Sequence, residues 1–238
     1  MSTALLICGL MLALGGFVQG TVGFGLALVS VPVLVLVQPD LVPAPLLLIG
    51  SVHSMVTMLR EHRHVYWAGV GWATLGAVPG TAIGVLLVDS LPLRQFSIVV
   101  GTGVLAFAVL STVSWHPRPT GPALTTAGLA SGAFGTAMGI GGPPLVLVLQ
   151  HEQGPRIRST MSACFLAGSV LAGTGLVAAG QLDGHDVVSA ATLTPFLLAG
   201  FLLSGPARRL VTGGRIRYAV LGFAGLSALA LIARSVFG

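Results

Sequence analysis

Apolar residues occur along this 238-residue chain in successive runs, separated by short segments rich in polar residues, glycine or proline. The runs are continuous, whereas a membrane β-barrel requires alternation of apolar and polar positions. Several runs reach the roughly 20 apolar residues that a helix needs to cross a bilayer. The pattern therefore predicts an all-α integral membrane protein, with apolar runs over 3–19, 26–37, 43–59, 65–88, 96–115, 120–138, 143–149, 159–180, 187–204 and 216–237.

Two glycine-rich segments, GTVGFG at 20–25 and GIGGPP at 139–144, interrupt this apolar pattern. As a single helix, residues 3–37 would be about 50 Å long, whereas 26–37 alone would reach only about 18 Å. Neither one span nor two full spans fits a hydrocarbon core that is about 30 Å thick. We predict that each segment is the tip of a glycine-broken helical hairpin, either re-entrant or fully spanning.

The order of runs and breaks occurs twice along the chain. A shift of 116 positions superposes Gly16 on Gly132, Gly23 on Gly139, Gly25 on Gly141, Pro39 on Pro155, Pro79 on Pro195 and Gly84 on Gly200. The sequence thus predicts two repeats in one integrated membrane domain, 1–116 and 117–238. Each repeat is expected to contain a glycine-broken hairpin followed by three transmembrane helices.

Charge is sparse and sets the expected orientation. Charged residues make up 7% of the chain against 54% hydrophobic, and all eleven basic residues are Arg. There is no basic face for nucleic acid, so the Arg residues are interpreted as topology determinants, which concentrate on the cytoplasmic side. If each half crosses the membrane four times, both halves point the same way, with seven Arg inside and four outside.

An odd number of crossings in each half inverts the second half and places nine Arg inside and two outside. Only Arg94 and Arg234 are then external. We predict this inverted arrangement, with both termini outside the cytoplasm. The nine internal residues are Arg60, Arg63, Arg118, Arg156, Arg158, Arg208, Arg209, Arg215 and Arg217.

The glycine breaks are also the candidate binding site. Irregular backbone inside a bilayer must be shielded by protein or line a wet cavity. Pro143 and Pro144 suit the first turn of a new helix, whose free N–H groups and dipole attract anions. The alternative is that the glycines allow close helix packing, as expected for Gly128 and Gly132. The candidate site residues are Gln19, Gly20, Thr21, Gly23, Phe24, Gly25, His53, Thr136, Gly139, Ile140, Gly141 and Gly142.

Each polar candidate has two interpretations. His53 lies inside a predicted span, where it either carries a coupling proton or is a neutral residue with a satisfied hydrogen bond. Gln19 is equally open, and Thr21 and Thr136 are expected to bond nearby carbonyls. Arg158 is either an anchor, which is the favoured reading, or a residue that attracts anions. The Cys8 and Cys164 thiols show no metal-binding spacing, so no metal or cofactor is expected.

The chain resembles the TauE/SafE family, also called the sulfite exporter family. The resemblance lies in GFVQGTVGFG at 16–25, LGAVPGTAIG at 75–84, GAFGTAMGIGGPPL at 132–145, IRSTMS at 157–162 and TPFLLAG at 194–200. These motifs follow one another through nearly the whole chain. The first break departs from the family pattern, because it lacks a GGG or GGP run and has GLA at 25–27.

The resemblance implies outward transport of a small sulfur-containing anion, such as sulfite, a sulfonate or sulfoacetate, across the cytoplasmic (inner) membrane. The residues alone indicate only a small anion. We therefore expect a secondary transporter and not an enzyme, with a passive anion channel and an intramembrane enzyme as alternatives. The expected partners are the anion and the lipid bilayer, with proton or sodium coupling and a homodimer left open.

Overall fold

The fold was analysed in a computed structural model, which describes residues 3–22, 25–110, 118–149, 152, 154–210 and 213–237. Within these ranges only the backbone is described for Val22, Leu110, Gly154, 207–210, 213–221 and Phe237. The described part of the chain is helical, as the continuous apolar runs predict. Its helices are α1 Thr3–Val22, α2 Leu26–Val37, α3 Ala44–Glu61, α4 Trp67–Ser90, α5 Leu93–Leu110, α6 Gly121–Met138, α7 Gly142–Leu149, α8 Gly154–Ala178, α9 Gly184–Leu210 and α10 Gly213–Phe237.

The outer surface is that of a membrane protein. Five helical segments are long and apolar enough to cross a bilayer: Thr3–Thr21, Pro39–His64, Trp67–Ser90, Pro155–Ala178 and Gly184–Pro206. Large apolar side chains point outward on several of the helices, and Leu202 and Leu226 are 67% and 71% exposed. Water would disfavour such a surface, whereas lipid matches it. The prediction of an all-α, multi-pass membrane protein is confirmed.

Helices end where local backbone chemistry requires it. Gly25 and Gly139 adopt left-handed conformations, with φ of 118° and 72°, at the two predicted breaks. Side chains with a Cβ atom are strained in that region, so glycine is required there. Beyond these turns, α2 has 12 residues and α7 has 8. At 1.5 Å per residue they are about 18 Å and about 12 Å long, too short to cross a core of about 30 Å.

The most extensive helix pairings join a helix of the first predicted half to a helix of the second. α1 packs extensively on α9, and its counterpart α6 packs on α4. Two further pairs join counterparts directly, α3 with α8 and α5 with α10. The first hairpin is closed by the Ser30 hydroxyl on α2, which donates to the Met11 carbonyl of α1 at 3.1 Å.

Side-chain contacts show which helix ends share a side of the bundle. At one end, Arg158 at the start of α8 pairs with Glu61 at the end of α3. At the opposite end, Arg94 at the start of α5 donates to the Ser235 carbonyl near the end of α10. The counterparts α3 and α8 therefore run antiparallel, as do α5 and α10. Such packing is what inverted repeats require, and the inverted repeat itself stays a prediction.

Many of the other described glycines serve packing, as expected. On α6, a Cβ at Gly128 would collide with the Ala73 carbonyl of α4, and one at Gly132 would lie 2.6 Å from the Ala77 carbonyl oxygen. On α4, Gly76 and Gly80 meet the backbone of α6 in the same way. Small residues allow this close approach in a bilayer, where dispersion contacts and not water exclusion hold helices together.

Candidate functional site

Both helix breaks open on one cavity of about 110 Å³, large enough for several water molecules. Gly25–Leu28 line it from the first break and Gly139–Pro143 from the second. Gly50 and Gly168, which lie near the middle of α3 and α8, line it as well. The cavity is therefore half-way along the bundle, and the N-terminal ends of α2 and α7 meet there.

The side chain of Gln19 organises the first break. Its Oε1 accepts the Leu26 N–H at 3.0 Å, and its Nε2 lies 3.1 Å from Nδ1 of His53. Leu26 opens α2, and the first bond within that helix runs from the Val29 N–H to the Gly25 carbonyl at 3.0 Å. Since the N–H groups of a first turn have no acceptor in their own helix, those of Ala27 and Leu28 remain as donors beside the cavity.

The second break is capped mainly from α6. The Gly139 N–H donates to the Gly135 carbonyl at 2.9 Å, and the Ile140 N–H donates to the Phe134 carbonyl at 3.2 Å. From the side, the Ser131 hydroxyl donates to the Gly141 carbonyl at 2.7 Å. The turn is therefore held by three bonds to one helix.

These caps reduce the number of donors available at the second break. Pro143 and Pro144 carry no N–H, as is tolerated in a first turn. The N–H groups of Gly139 and Ile140 are already bonded to α6. The donors that remain are Gly141 and Gly142, for which no acceptor is found in the described part of the chain.

The cavity wall is uncharged. Among its described residues none is Arg, Asp, Glu or His, and most are apolar or glycine. Polar groups come from the Gln19 amide and from the hydroxyls of Ser54, Thr74, Ser131, Thr136 and Ser169. Any anion at this position would be held by N–H dipoles and hydroxyls, not by a full positive charge.

The predicted residues divide into groups. The cavity is lined by Gln19, Gly25, Thr136, Gly139, Ile140, Gly141 and Gly142. In contrast, Gly20 faces α9, where a Cβ would collide with the Ser204 hydroxyl. Thr21 donates to the Val18 carbonyl at 2.8 Å within its own helix, as expected for a membrane threonine. Gly23 and Phe24 lie outside the described residues.

His53 is 3% exposed and stands directly behind the cavity. It does not line the wall, but it contacts Gln19, which does. Its ring also packs edge-on against Phe201 of α9, with centroids 4.6 Å apart. His53 is thus joined to the first break through the side chain of Gln19.

Sequence analysis missed several lining residues. Ser131 caps the second break from ten positions away, and Gly50 and Gly168 open space in which an added Cβ would meet nothing within 4 Å. Serine and glycine are common in membrane helices, so no local signal sets these positions apart. Ser131 lies three positions after Gly128 and four before Gly135, so the three residues share one face of the helix. This spacing was the available signal for its position at the cavity.

Arg158 does not reach the cavity wall. Its guanidinium makes a forked contact with Glu61, with a shortest N–O distance of 2.9 Å, and the two side chains are only 21% and 22% exposed. The pair joins α3 to α8 at one end of the bundle. Arg158 is therefore held by a carboxylate, which fits the favoured anchoring role better than anion attraction.

Comparison with known proteins gives the family. Residues 7–231 match the family described as "Sulfite exporter TauE/SafE". The chain is similar to a protein of Cupriavidus necator described as "Probable sulfite/organosulfonate exporter TauE", with 24% identity over 208 residues that cover 81% of this chain and 80% of the relative. No solved structure matches the chain at a significant level. The chain accordingly belongs to the sulfite exporter TauE/SafE family of membrane transporters.

Proposed function

We propose that this protein is a secondary transporter that exports a small sulfur-containing anion across the cytoplasmic (inner) membrane. The observation that carries the proposal is the shared cavity, which the N-terminal ends of α2 and α7 both line. Each such end carries a partial positive charge equivalent to roughly half an elementary charge. The sulfite and organosulfonate named for the relative in Cupriavidus necator support a sulfur oxyanion as the cargo.

The proposed site suits the geometry of such an anion. A sulfonate presents three acceptor oxygens around sulfur, and each of the two breaks supplies N–H donors to the cavity. Ala27 and Leu28 belong to the first break and Gly141 and Gly142 to the second, with the Thr136 hydroxyl in the same wall. Because the described cavity wall carries no full charge, the anion is bound weakly enough to leave, as transport requires.

The same features favour transport over catalysis. An intramembrane enzyme would need a nucleophile within reach of a base, or a cluster of metal ligands. The Cys164 thiol and the serine and threonine hydroxyls are the potential nucleophiles of the described cavity wall, and no His, Asp or Glu lines that wall to act as their base. Since the cavity offers binding groups without reactive pairs, we assign it to cargo.

The proposal includes an orientation for the bundle. The end marked by the Glu61–Arg158 pair faces the cytoplasm, and the end marked by Arg94 and Arg234 faces outward, in line with the excess of Arg on the inside. The two hairpins then re-enter from opposite sides, as in transporters that hold cargo between discontinuous helices of inverted repeats.

Ligand binding tests the proposal directly. Purified protein is heated with methanesulfonate, sulfite, acetate or phosphate, and the unfolding temperature is recorded. A ligand at 100 times its Kd adds about 2.7 kcal/mol to the free energy of unfolding. We expect methanesulfonate and sulfite to raise the unfolding temperature, with acetate and phosphate having smaller effects. Equal or absent shifts for all four anions would contradict the proposal that a sulfur-containing anion is the cargo.

Two glycine variants locate the binding site. Gly168→Ala places a methyl group on the cavity wall without touching other protein atoms, and Gly71→Ala, on the exposed face of α4, is its matched control. Both replacements favour the helix by about 1 kcal/mol, so neither should unfold the protein. Only Gly168→Ala should weaken methanesulfonate binding. Equal affinity in the two variants would place the anion elsewhere.

Flux into proteoliposomes separates a transporter from a passive channel. Labelled sulfonate uptake is measured with and without imposed proton and sodium gradients. A secondary transporter accumulates the anion against its own gradient when the coupling ion flows. Flux that ignores both gradients would support the channel alternative.

A further inference from the structure

The contact between Gln19 and His53 connects a titratable group to the wall of the cavity. Gln19 has one acceptor oxygen and one donor NH₂ group in its side-chain amide. The Leu26 N–H is a donor, so it must face the oxygen, at the 3.0 Å that is observed. The NH₂ group is then directed at Nδ1 of His53, 3.1 Å away.

This arrangement fixes the state of the imidazole. Nδ1 can accept from Gln19 only when it carries no proton, so the neutral ring has its proton on Nε2. When His53 is charged, both ring nitrogens are donors. Nδ1 would then face the NH₂ group of Gln19, and two donors would stand 3.1 Å apart.

Gln19 can relieve that clash in one way. Rotation of its amide offers the oxygen to the charged ring, but the oxygen then leaves the Leu26 N–H. The first N–H of α2 is released beside the cavity, which Leu26 itself lines. Gln19 therefore cannot satisfy Leu26 and a charged His53 at the same time.

We propose that Gln19 is a positioning residue that couples the protonation of His53 to anion binding at the N-terminal end of α2, an inference that rests on the proposed function. A proton on His53 frees the Leu26 N–H as an additional donor for the anion and brings positive charge behind the wall. Anion affinity rises as pH falls through the titration range of the histidine and is lost as pH rises. By linkage, the bound anion favours the proton to the same degree.

Other ionisable groups near α3 are accounted for in the described residues. The Gln19 amide and the Phe201 ring face His53 from α1 and α9. Glu61 and Arg158 are paired with each other, and Cys164 of α8 lines the cavity. Cys8 of α1 is buried. The side chains of Arg208 and Arg209, near the end of α9, lie outside the described residues. The remaining titratable groups lie toward the ends of the packed elements: Asp40, Arg60, His62, Arg63, His64, Arg156, His185 and Asp186.

The test measures methanesulfonate affinity at about pH 5.5 and about pH 8, a range that spans the ordinary titration of histidine. The sulfonate stays ionised throughout, so the ligand does not change. We expect wild-type protein to bind about fivefold or more tightly at the lower pH, as for a typical coupling between sites. His53→Gln should bind equally at both. Gln19→Leu should lose most of the pH dependence although its histidine is intact, because only the direct attraction of the charged ring remains. The exposed Gln95→Leu should keep the wild-type ratio.

Gln19→Glu provides a second variant that preserves side-chain volume and the acceptor for Leu26. Its carboxylate can accept from Leu26 and from a charged His53 together. Because the Leu26 N–H then stays bonded at both pH values, the gain in affinity at the lower pH should be smaller than in wild-type protein. A merely structural Gln19 would lower affinity by the same factor at both pH values and leave the wild-type ratio unchanged.

The outcomes separate two failures. Measurable binding with the wild-type ratio retained in Gln19→Leu or in Gln19→Glu overturns the coupling and leaves the proposed function standing. Wild-type protein that binds no anion at either pH overturns both.

Discussion

At the scale of single residues, the two breaks are stabilised by different side chains. Gln19 caps the start of α2 at the first break, and Ser131 holds the Gly141 carbonyl at the second. The positions that correspond under the shift of 116 are Gly135 and Gly15. Each half thus has a polar capping residue where the other half has glycine, so the two breaks are chemically distinct.

The first prediction concerns Ser131→Ala. Loss of the hydroxyl leaves the buried Gly141 carbonyl without its 2.7 Å partner, which costs about 1–3 kcal/mol. We expect a lower free energy of unfolding and weaker methanesulfonate binding, because the 139–142 turn is held less firmly. Unfolding in detergent and ligand titration measure the two effects.

Thr126→Ala is the matched control for this change. Thr126 lies on the same helix, is exposed, and bonds only the Ala123 carbonyl of its own helix. It should alter stability and binding little. A loss in Thr126→Ala as large as that in Ser131→Ala would mean that the hydroxyl at the break has no special role.

At the scale of secondary-structure elements, the pairing of α4 with α6 depends on glycine. Backbone approaches backbone along this seam, so a methyl group at the contact has no space. The pairing of α1 with α9 uses the same device, since a Cβ at Gly200 would collide with the Ala13 carbonyl. Because α1 and α6 are the first arms of the two hairpins, these tightly packed pairs hold the hairpins against α9 and α4.

The second prediction compares two glycines on α4. A Cβ at Gly80 would collide with the Leu129 carbonyl, whereas one at Gly71 meets nothing within 4 Å. Gly80→Ala should lower the free energy of unfolding by about 1–3 kcal/mol, as overpacking does. Gly71→Ala should leave it unchanged or raise it, because alanine favours helix. Equal stability of the two variants would show that α4 and α6 are not in close contact.

At the scale of the whole molecule, the bundle is organised about antiparallel pairs of corresponding helices. The contacts of Arg158 with Glu61 and of Arg94 with Ser235 mark its two opposite ends. Gln181 lies 3.4 Å from Asp89, which joins the far ends of α8 and α4. The cavity lies between these two ends, beside the middle of α3 and α8.

The third prediction tests orientation with reporter cysteines. Gly184→Cys and His62→Cys introduce exposed thiols, while the native Cys8 and Cys164 are buried. In intact cells, a membrane-impermeant maleimide should label Gly184→Cys. It should reach His62→Cys only after the membrane is opened. His185→Cys and Arg63→Cys are neighbouring controls that should behave alike.

Labelling of both reporters from the same side would contradict the inverted arrangement. The two halves would then have to point the same way, as in the alternative with four crossings in each half. The antiparallel packing of α3 on α8 would in that case need another explanation.

Sequence analysis predicted the breaks well because their cause is local. Gly139 is needed for a left-handed turn, and the prolines after it fit the first turn of α7, as predicted. Side-chain partners were harder to predict, because they depend on distant residues. Gln19 and His53 are 34 positions apart, and Gly20 was expected at the site but faces Ser204 of α9.

The sequence by itself determined that this protein lies in a lipid bilayer, where its helices run along the chain, and the two places where they break. These properties follow from the transfer of each side chain into lipid and from the backbone freedom of glycine and proline. Only the tertiary structure decided that the two breaks share one cavity, that its described wall is uncharged, and that Gln19 joins His53 to α2. Those facts depend on how helices far apart in the chain pack together, which no local pattern of residues specifies.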